Sequence, residues 1–151
     1  MAVDREDQPR EVALELPPLP EFVGTGRLVV AAMARHYGFG DEQAEDLKIA
    51  VSEAITNSVR AHINAGIGDP VRLSIRLVDG RLVIEVSDRG AGFNPAEELQ
   101  LGTTPVSGTL EGGLGLMLIR ALITDTVIER RQPRGMLIRM TLKREVAAGI
   151  R

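Results

Sequence analysis

Cysteine is absent from all 151 residues, which excludes a disulfide scaffold, a thiolate-ligated zinc site and a thiol nucleophile. Tryptophan is absent too, and three Phe with one Tyr make up the whole aromatic complement. The core must therefore be aliphatic, and base stacking on aromatic platforms, the usual way of holding single-stranded nucleic acid, is not available. Lysine is confined to Lys48 and Lys143; neither follows a glycine-rich loop, which removes a Walker A phosphate loop. No Gly-x-Gly-x-x-Gly opens a helix after a strand, which removes the Rossmann dinucleotide fingerprint. Positive charge is not in excess either: 18 Lys and Arg against 21 Asp and Glu leave −3, so no phosphate-seeking surface is indicated and direct nucleic-acid binding is not expected. The longest clean apolar run, Leu28–Ala34, is far too short for a membrane span. Met1–Glu11 is charged and lacks the apolar core of a signal peptide. What remains is ordinary for one cytoplasmic domain: 44% hydrophobic and 26% charged residues.

No repeat or low-complexity stretch divides the chain. Residues 1–10 are expected to be disordered, 11–145 to form the domain, and 146–151 to be a short tail. Glu11–Leu16 alternates as a strand and stops at Pro17-Pro18. Apolar positions from Pro20 to Tyr37 predict a helix whose first turns Gly24 and Gly26 weaken. Gly38-Phe39-Gly40 ends it, and Asp41 is expected to cap the next helix. From Asp41 to about Asn64, the residues Leu47, Val51, Ala54, Ile55, Ser58 and His62 recur at spacings of three and four, one packing stripe. Val71–Val78 and Arg81–Ser87 alternate around Asp79-Gly80, a hairpin signature. Residues 94–111 have weak periodicity and are read as a mobile lid. Gly112–Leu122 is a short apolar helix, and Asp125–Arg130 with Met136–Lys143 form a closing pair around Pro133-Arg134-Gly135. This order predicts an α+β fold: a two-layer α/β sandwich with one mixed, mostly antiparallel sheet and the helices on one face. Arg130, Arg131, Arg134, Arg139, Lys143 and Arg144 are read as a solvated face, and His36 and His62 as structural or exposed. Met33, Met117, Met136 and Met140 are assigned to core helices and strands.

Three segments carry chemistry. Glu53 and Asn57 stand four residues apart and share a helix face away from the packing stripe. An amide oxygen suits Mg²⁺, and a carboxylate one turn earlier can orient a nucleophile or accept its proton; a solvated helix face is the plain alternative. Asp88-Arg-Gly-Ala-Gly92 ends a strand. An ionised Asp accepts hydrogen bonds and suits an exocyclic amino group such as that of adenine, while glycines let the backbone approach a flat ligand; an ordinary turn has the same composition. Glu111-Gly-Gly-Leu-Gly-Leu116 feeds glycines into a helix start, where free N–H groups and the dipole favour phosphate; a hinge is the alternative.

Taken in order, an E-x-x-x-N helix, a D-x-G-x-G strand end, a long lid and a G-G-x-G helix start resemble the GHKL (Bergerat-fold) ATPase superfamily of gyrase, heat-shock chaperones, histidine kinases and MutL. Within it, residues 11–145 resemble the stand-alone anti-sigma-factor serine/threonine-protein kinases of the RsbW/SpoIIAB type. The wording VSEAITNSV at 51–59 and EGGLGLMLI at 111–119 is close to that group's. The resemblance implies ATP and Mg²⁺ as cofactors, with Asn57 holding the metal and Glu53 the catalytic base toward a serine or threonine hydroxyl. It makes Asp88 the acceptor of the adenine amino group, with Gly90 and Gly92 shaping the pocket floor. Gly112, Gly113, Leu114, Gly115 and Leu116 would line the phosphates, and Thr103 and Thr104 would match a threonine pair of the lid. It implies a homodimer, a sequestered sigma factor and a phosphorylated anti-anti-sigma antagonist of STAS type, with Phe22–Tyr37 as the place to look for sigma contacts.

Three positions depart from that family's pattern. A histidine four residues after the asparagine is common there; this chain has Ala61, with His62 one residue beyond. The last strand usually begins Gly-Thr and here begins Gly135-Met136. The lid carries no Lys or Arg between Arg89 and Arg120, and Pro105 follows the threonine pair. The alternative to a kinase is therefore a nucleotide-gated partner-binding module of the same fold with little or no phosphoryl transfer.

Overall fold

The computed structural model describes residues 10–92 and 112–145. Strand β1 (Arg10–Leu16) leads through a 3₁₀ turn (Pro20–Phe22) into helices α1 (Val23–His36) and α2 (Asp41–Ala65). The hairpin β2 (Val71–Val78) and β3 (Arg81–Ser87) follows, then α3 (Gly112–Leu122) and the pair β4 (Asp125–Arg130) and β5 (Met136–Lys143). The expected disordered start, tail and lid lie outside the described residues, apart from Arg10, which opens β1.

The strands make one sheet in the order β1-β2-β3-β5-β4. Every pairing among the described residues is antiparallel, which corrects the expected mixed sheet. Connectivity gives the reason. Two helices between β1 and β2 return the chain to the end of the sheet it left, so β2 runs back along β1. One helix before β4 would make β4 parallel to β3, but β5 inserts between them. The same connectivity gathers the end of α2, the start of α3, the end of β3 and the β4–β5 turn at one end of the sandwich.

Alternation dictates the layers. Val71, Leu73 and Ile75 of β2 and Leu82, Ile84 and Val86 of β3 are buried, in one core with Ile138, Met140 and Leu142 of β5. The predicted α2 stripe is buried throughout, from Leu47 to His62. Each large aliphatic side chain so enclosed contributes about 1.5–3 kcal/mol. The opposite sheet face is charged, with Glu85 between Arg76 (2.5 Å) and Arg139 (3.7 Å). The β2–β3 turn has positive φ at Asp79 (50°) and Gly80 (74°), as the Asp-Gly signature requires.

Three local readings are corrected. The helix expected from Pro20 to Tyr37 is a 3₁₀ turn followed by α1. Gly26 inside α1 is a contact point: a Cβ there would lie 2.4 Å from Ile55 Cδ1 and 3.1 Å from Leu16 Cδ1. The cap of α2 is Gly40, whose N–H donates to Gln43 Oε1 (3.4 Å), while Asp41 is the first helical residue. Met117 is 43% exposed on α3, whereas Met136 and Met140 are buried. Among the described residues no helix is long and apolar enough to cross a membrane.

Ile84, wholly buried at the centre of β3, tests this packing. Ile84→Ala should lower the unfolding free energy by about 2–5 kcal/mol, read from urea denaturation. A change under about 1 kcal/mol would mean that the helices do not cover this face of the sheet.

Candidate nucleotide and phosphoryl-transfer site

One face of α2 acts as a ruler. Glu53, Asn57 and Ala61 follow at intervals of four, so their side chains stack along one side of the helix. All three are half-buried rather than solvated. The reason is two glycine contacts. A Cβ on Gly115 of α3 would lie 2.9 Å from Glu53 Oε2, 3.5 Å from Asn57 Nδ2 and 3.8 Å from Asn57 Oδ1. A Cβ on Gly90 would lie 2.7 Å from the Cβ of Ala61. The backbone of α3 therefore rests on the acid and amide, and the turn after β3 rests on the alanine one turn further on.

Asp88 is 5% exposed at the end of β3. Its Oδ1 accepts the N–H of Gly90 (3.0 Å) and of Met136 (3.2 Å), and its own N–H donates to Met136 O (3.0 Å). No described residue donates to Oδ2, which leaves that oxygen as an acceptor without a described donor. Gly92 adopts φ +78° and faces Gly135 O and Met136 Sδ. Gly112 opens α3, so the first-turn N–H groups have no acceptor within the helix. Leu114 is exposed beside them. Leu116 is different: it is the fifth helical residue, its N–H belongs to the helix ladder, and its side chain is 1% exposed in the core. It packs into the core and offers no free N–H. Thr103 and Thr104 lie outside the described residues.

Sequence reasoning missed several groups at this end. Gly135, read as turn punctuation, has φ +103°, and a Cβ there would sit 2.0 Å from Asp88 O. Arg131 and Arg134, read as solvated, donate to the carbonyls of Asp88 (Nη1, 3.1 Å) and Gly90 (Nε, 3.3 Å), and Arg139 pairs with Glu85. His62 is fully buried, whereas His36 is exposed. His62 was legible only as a polar residue inside an apolar stripe; its partners lie at Asp69 and Arg89.

A helix presenting Glu and Asn to the glycine start of another helix, beside a buried strand-end Asp, defines a class. The chain belongs to the histidine kinase-like ATPase domain family, whose model matches residues 16–142. Among curated relatives, the serine-protein kinase RsbW of Oceanobacillus iheyensis is 35% identical, over 86% of this chain and 84% of that protein. The serine-protein kinase RsbW of Listeria innocua is 38% identical, over 76% of each. Within the class, then, this is a member of the RsbW serine-protein kinase family, an ATP-using kinase. The fold matches the crystal structure of the RsbU and RsbW domains of a Mycobacterium tuberculosis protein with TM-score 0.64 at 18% identity, covering 88% of this chain and 32% of that one.

Gly115→Ala tests the contact between the helices. The added methyl meets the free end of the Glu53 side chain at 2.9 Å, so the carboxylate swings aside while the fold persists. Phosphoryl transfer should fall about 10–100-fold, with thermal stability held level because Ala favours the helix by up to ~1 kcal/mol. Unchanged transfer would show either that α3 does not constrain Glu53 or that Glu53 takes no part in the transfer.

Proposed function

We propose that this chain is an anti-sigma factor that sequesters a sigma factor and phosphorylates an anti-anti-sigma antagonist of STAS type on serine or threonine. The observation that carries the reading is the seat of Gly115 on Glu53 and Asn57, which sets a carboxylate and an amide beside the N–H groups opening α3. Those N–H groups and the helix dipole favour the ATP phosphates. Along α2, the eight steps from Glu53 to Ala61 cover about 12 Å, separating this phosphate end from Asp88, the base end, where Oδ2 would accept the adenine amino group.

Mg²⁺ fits the residues present. Asn57 offers a hard, neutral oxygen, and a single protein oxygen leaves the remaining positions to phosphates and water, as Mg²⁺ prefers. When bound, the ion supplies neutralisation of phosphate charge. Glu53 accepts the proton of the attacking hydroxyl as its oxygen bonds to the γ-phosphorus. The bond from that phosphorus to the β–γ bridging oxygen breaks, leaving ADP and a phosphorylated antagonist. Positioning and charge neutralisation suffice for this chemistry, which suits so sparse a set of groups. Leu28, 62% exposed on α1, lies within the Phe22–Tyr37 segment that we assign to sigma binding. A cytoplasmic homodimer completes the proposal.

A second reading, a nucleotide-gated binder without appreciable transfer, is favoured by Met136, which gives Asp88 a backbone N–H and no hydroxyl. Labelled ATP with Mg²⁺ and a candidate antagonist separates the two, comparing wild type with Glu53→Ala and following nucleotide binding by calorimetry. We expect transfer to vanish in Glu53→Ala while ATP still binds. Tight ATP binding with no transfer to any antagonist would favour the binder, and no ATP binding at millimolar concentration would sink both.

A further inference from the structure

Three successive backbone N–H groups at the end of β3 are each taken by a different part of the fold. Asp88 N–H donates to Met136 O (3.0 Å) and Gly90 N–H to Oδ1 of Asp88 (3.0 Å). Between them, Arg89 N–H donates to Nε2 of His62 (2.9 Å). The other ring nitrogen of His62, Nδ1, lies 2.8 Å from Asp69 O. A backbone N–H donates only to an unprotonated ring nitrogen, and a carbonyl accepts only from a protonated one. The ring is therefore neutral with its proton on Nδ1, a rigid spacer between the α2–β2 connection and the turn that bears Asp88.

The peptide joining Asp88 to Arg89 is held at both ends. Its N–H is bound by His62 from inside the sandwich, and its C=O accepts from Arg131 Nη1 (3.1 Å) on the other side. That peptide is the link between the Cα of Asp88 and the Gly90 N–H that binds Oδ1, so holding its plane holds one of the two donors that fix the carboxylate, whose Oδ2 has no described donor. Ala61, one residue before His62, is the contact point for Gly90, so α2 divides the work between neighbours: position 61 supports the turn by size, and position 62 orients it by hydrogen bonding.

We infer that His62 is a positioning residue of the base pocket. By fixing the Asp88–Arg89 peptide it aims Oδ2 of Asp88 at the 6-amino group of a purine, and so contributes to the preference for a 6-amino over a 6-oxo base. The inference rests on the adenine reading of Asp88 proposed above. Two conservative variants divide the two bonds of the ring. His62→Asn can keep the donor to Asp69 O but cannot reach Arg89, whereas His62→Gln can place its Oε1 where Nε2 now accepts.

The test is calorimetry of ATP and of inosine triphosphate, which presents a 6-oxo group, on the full chain carrying His62→Asn, His62→Gln, Asp88→Asn, and His62→Asn with Asp88→Asn. We expect His62→Asn to weaken ATP about tenfold and inosine triphosphate by less than about twofold. His62→Gln should restore ATP binding, and the double variant should be no weaker than Asp88→Asn alone. Equal loss of both nucleotides, or full additivity with Asp88→Asn, would make His62 merely structural and overturn the inference. A neutral His62→Asn beside a damaging Asp88→Asn overturns it alone, whereas a neutral Asp88→Asn removes the adenine reading and the inference with it. Should His62→Asn not fold, Arg131→Ala releases the carbonyl end of the same peptide from outside the core. The same selective loss is then expected, and no loss there overturns the peptide-plane argument.

Discussion

A buried carboxylate bonded through one oxygen holds the functional end of this fold together. Burying an ionised group is costly unless hydrogen bonds replace water, and Asp88 meets that demand with the N–H groups of Gly90 and Met136. Bonds to a charged acceptor are roughly twice as strong as neutral ones. One oxygen thus ties the β3 end, the following turn and the first residue of β5 into a unit. The constraint propagates: the β4–β5 turn must bring Gly135 against Asp88 O, at a φ of +103° and a spacing that leaves no room for a Cβ. The same bonding leaves the second carboxylate oxygen without a described donor.

Close approach by glycine is the second constraint, and α2 is the surface it works against. Glu53 and Asn57 are half-buried because the backbone of Gly115, rather than a side chain, lies against them. Gly90 covers Ala61 in the same way at the base end. A kinase of this family needs little covalent machinery, so its sequence is recognisable by where bulk is missing as much as by where acids and amides stand.

Much of the architecture was legible in the sequence. Alternation located β2, β3, β4 and β5, Asp79-Gly80 located the hairpin, and the apolar stripe located α2, because each is a local pattern with one favoured period. The candidate residues Glu53, Asn57, Asp88 and the glycines stood out as motifs, and the structure brings the described ones to one end. What was not legible depends on partners distant along the chain. Arg131 and Arg134 look like surface charge until the carbonyls of Asp88 and Gly90 arrive beside them. His62 looks like an unexplained polar residue until Arg89 donates to it from 27 residues away. Leu116 reads as part of a phosphate loop, and only the register of α3 turns it into the core.

The segment joining β3 to α3 is pinned at both ends: Gly92 lies against the start of β5 and Gly115 against α2. For two such anchors, the entropy cost of closing a flexible connection grows only logarithmically, by about 0.6 kcal/mol for each doubling of its length. The folding of the sandwich is thereby insulated from the length and composition of that connection. Natural variation in length can therefore accumulate between those two anchors at small thermodynamic expense.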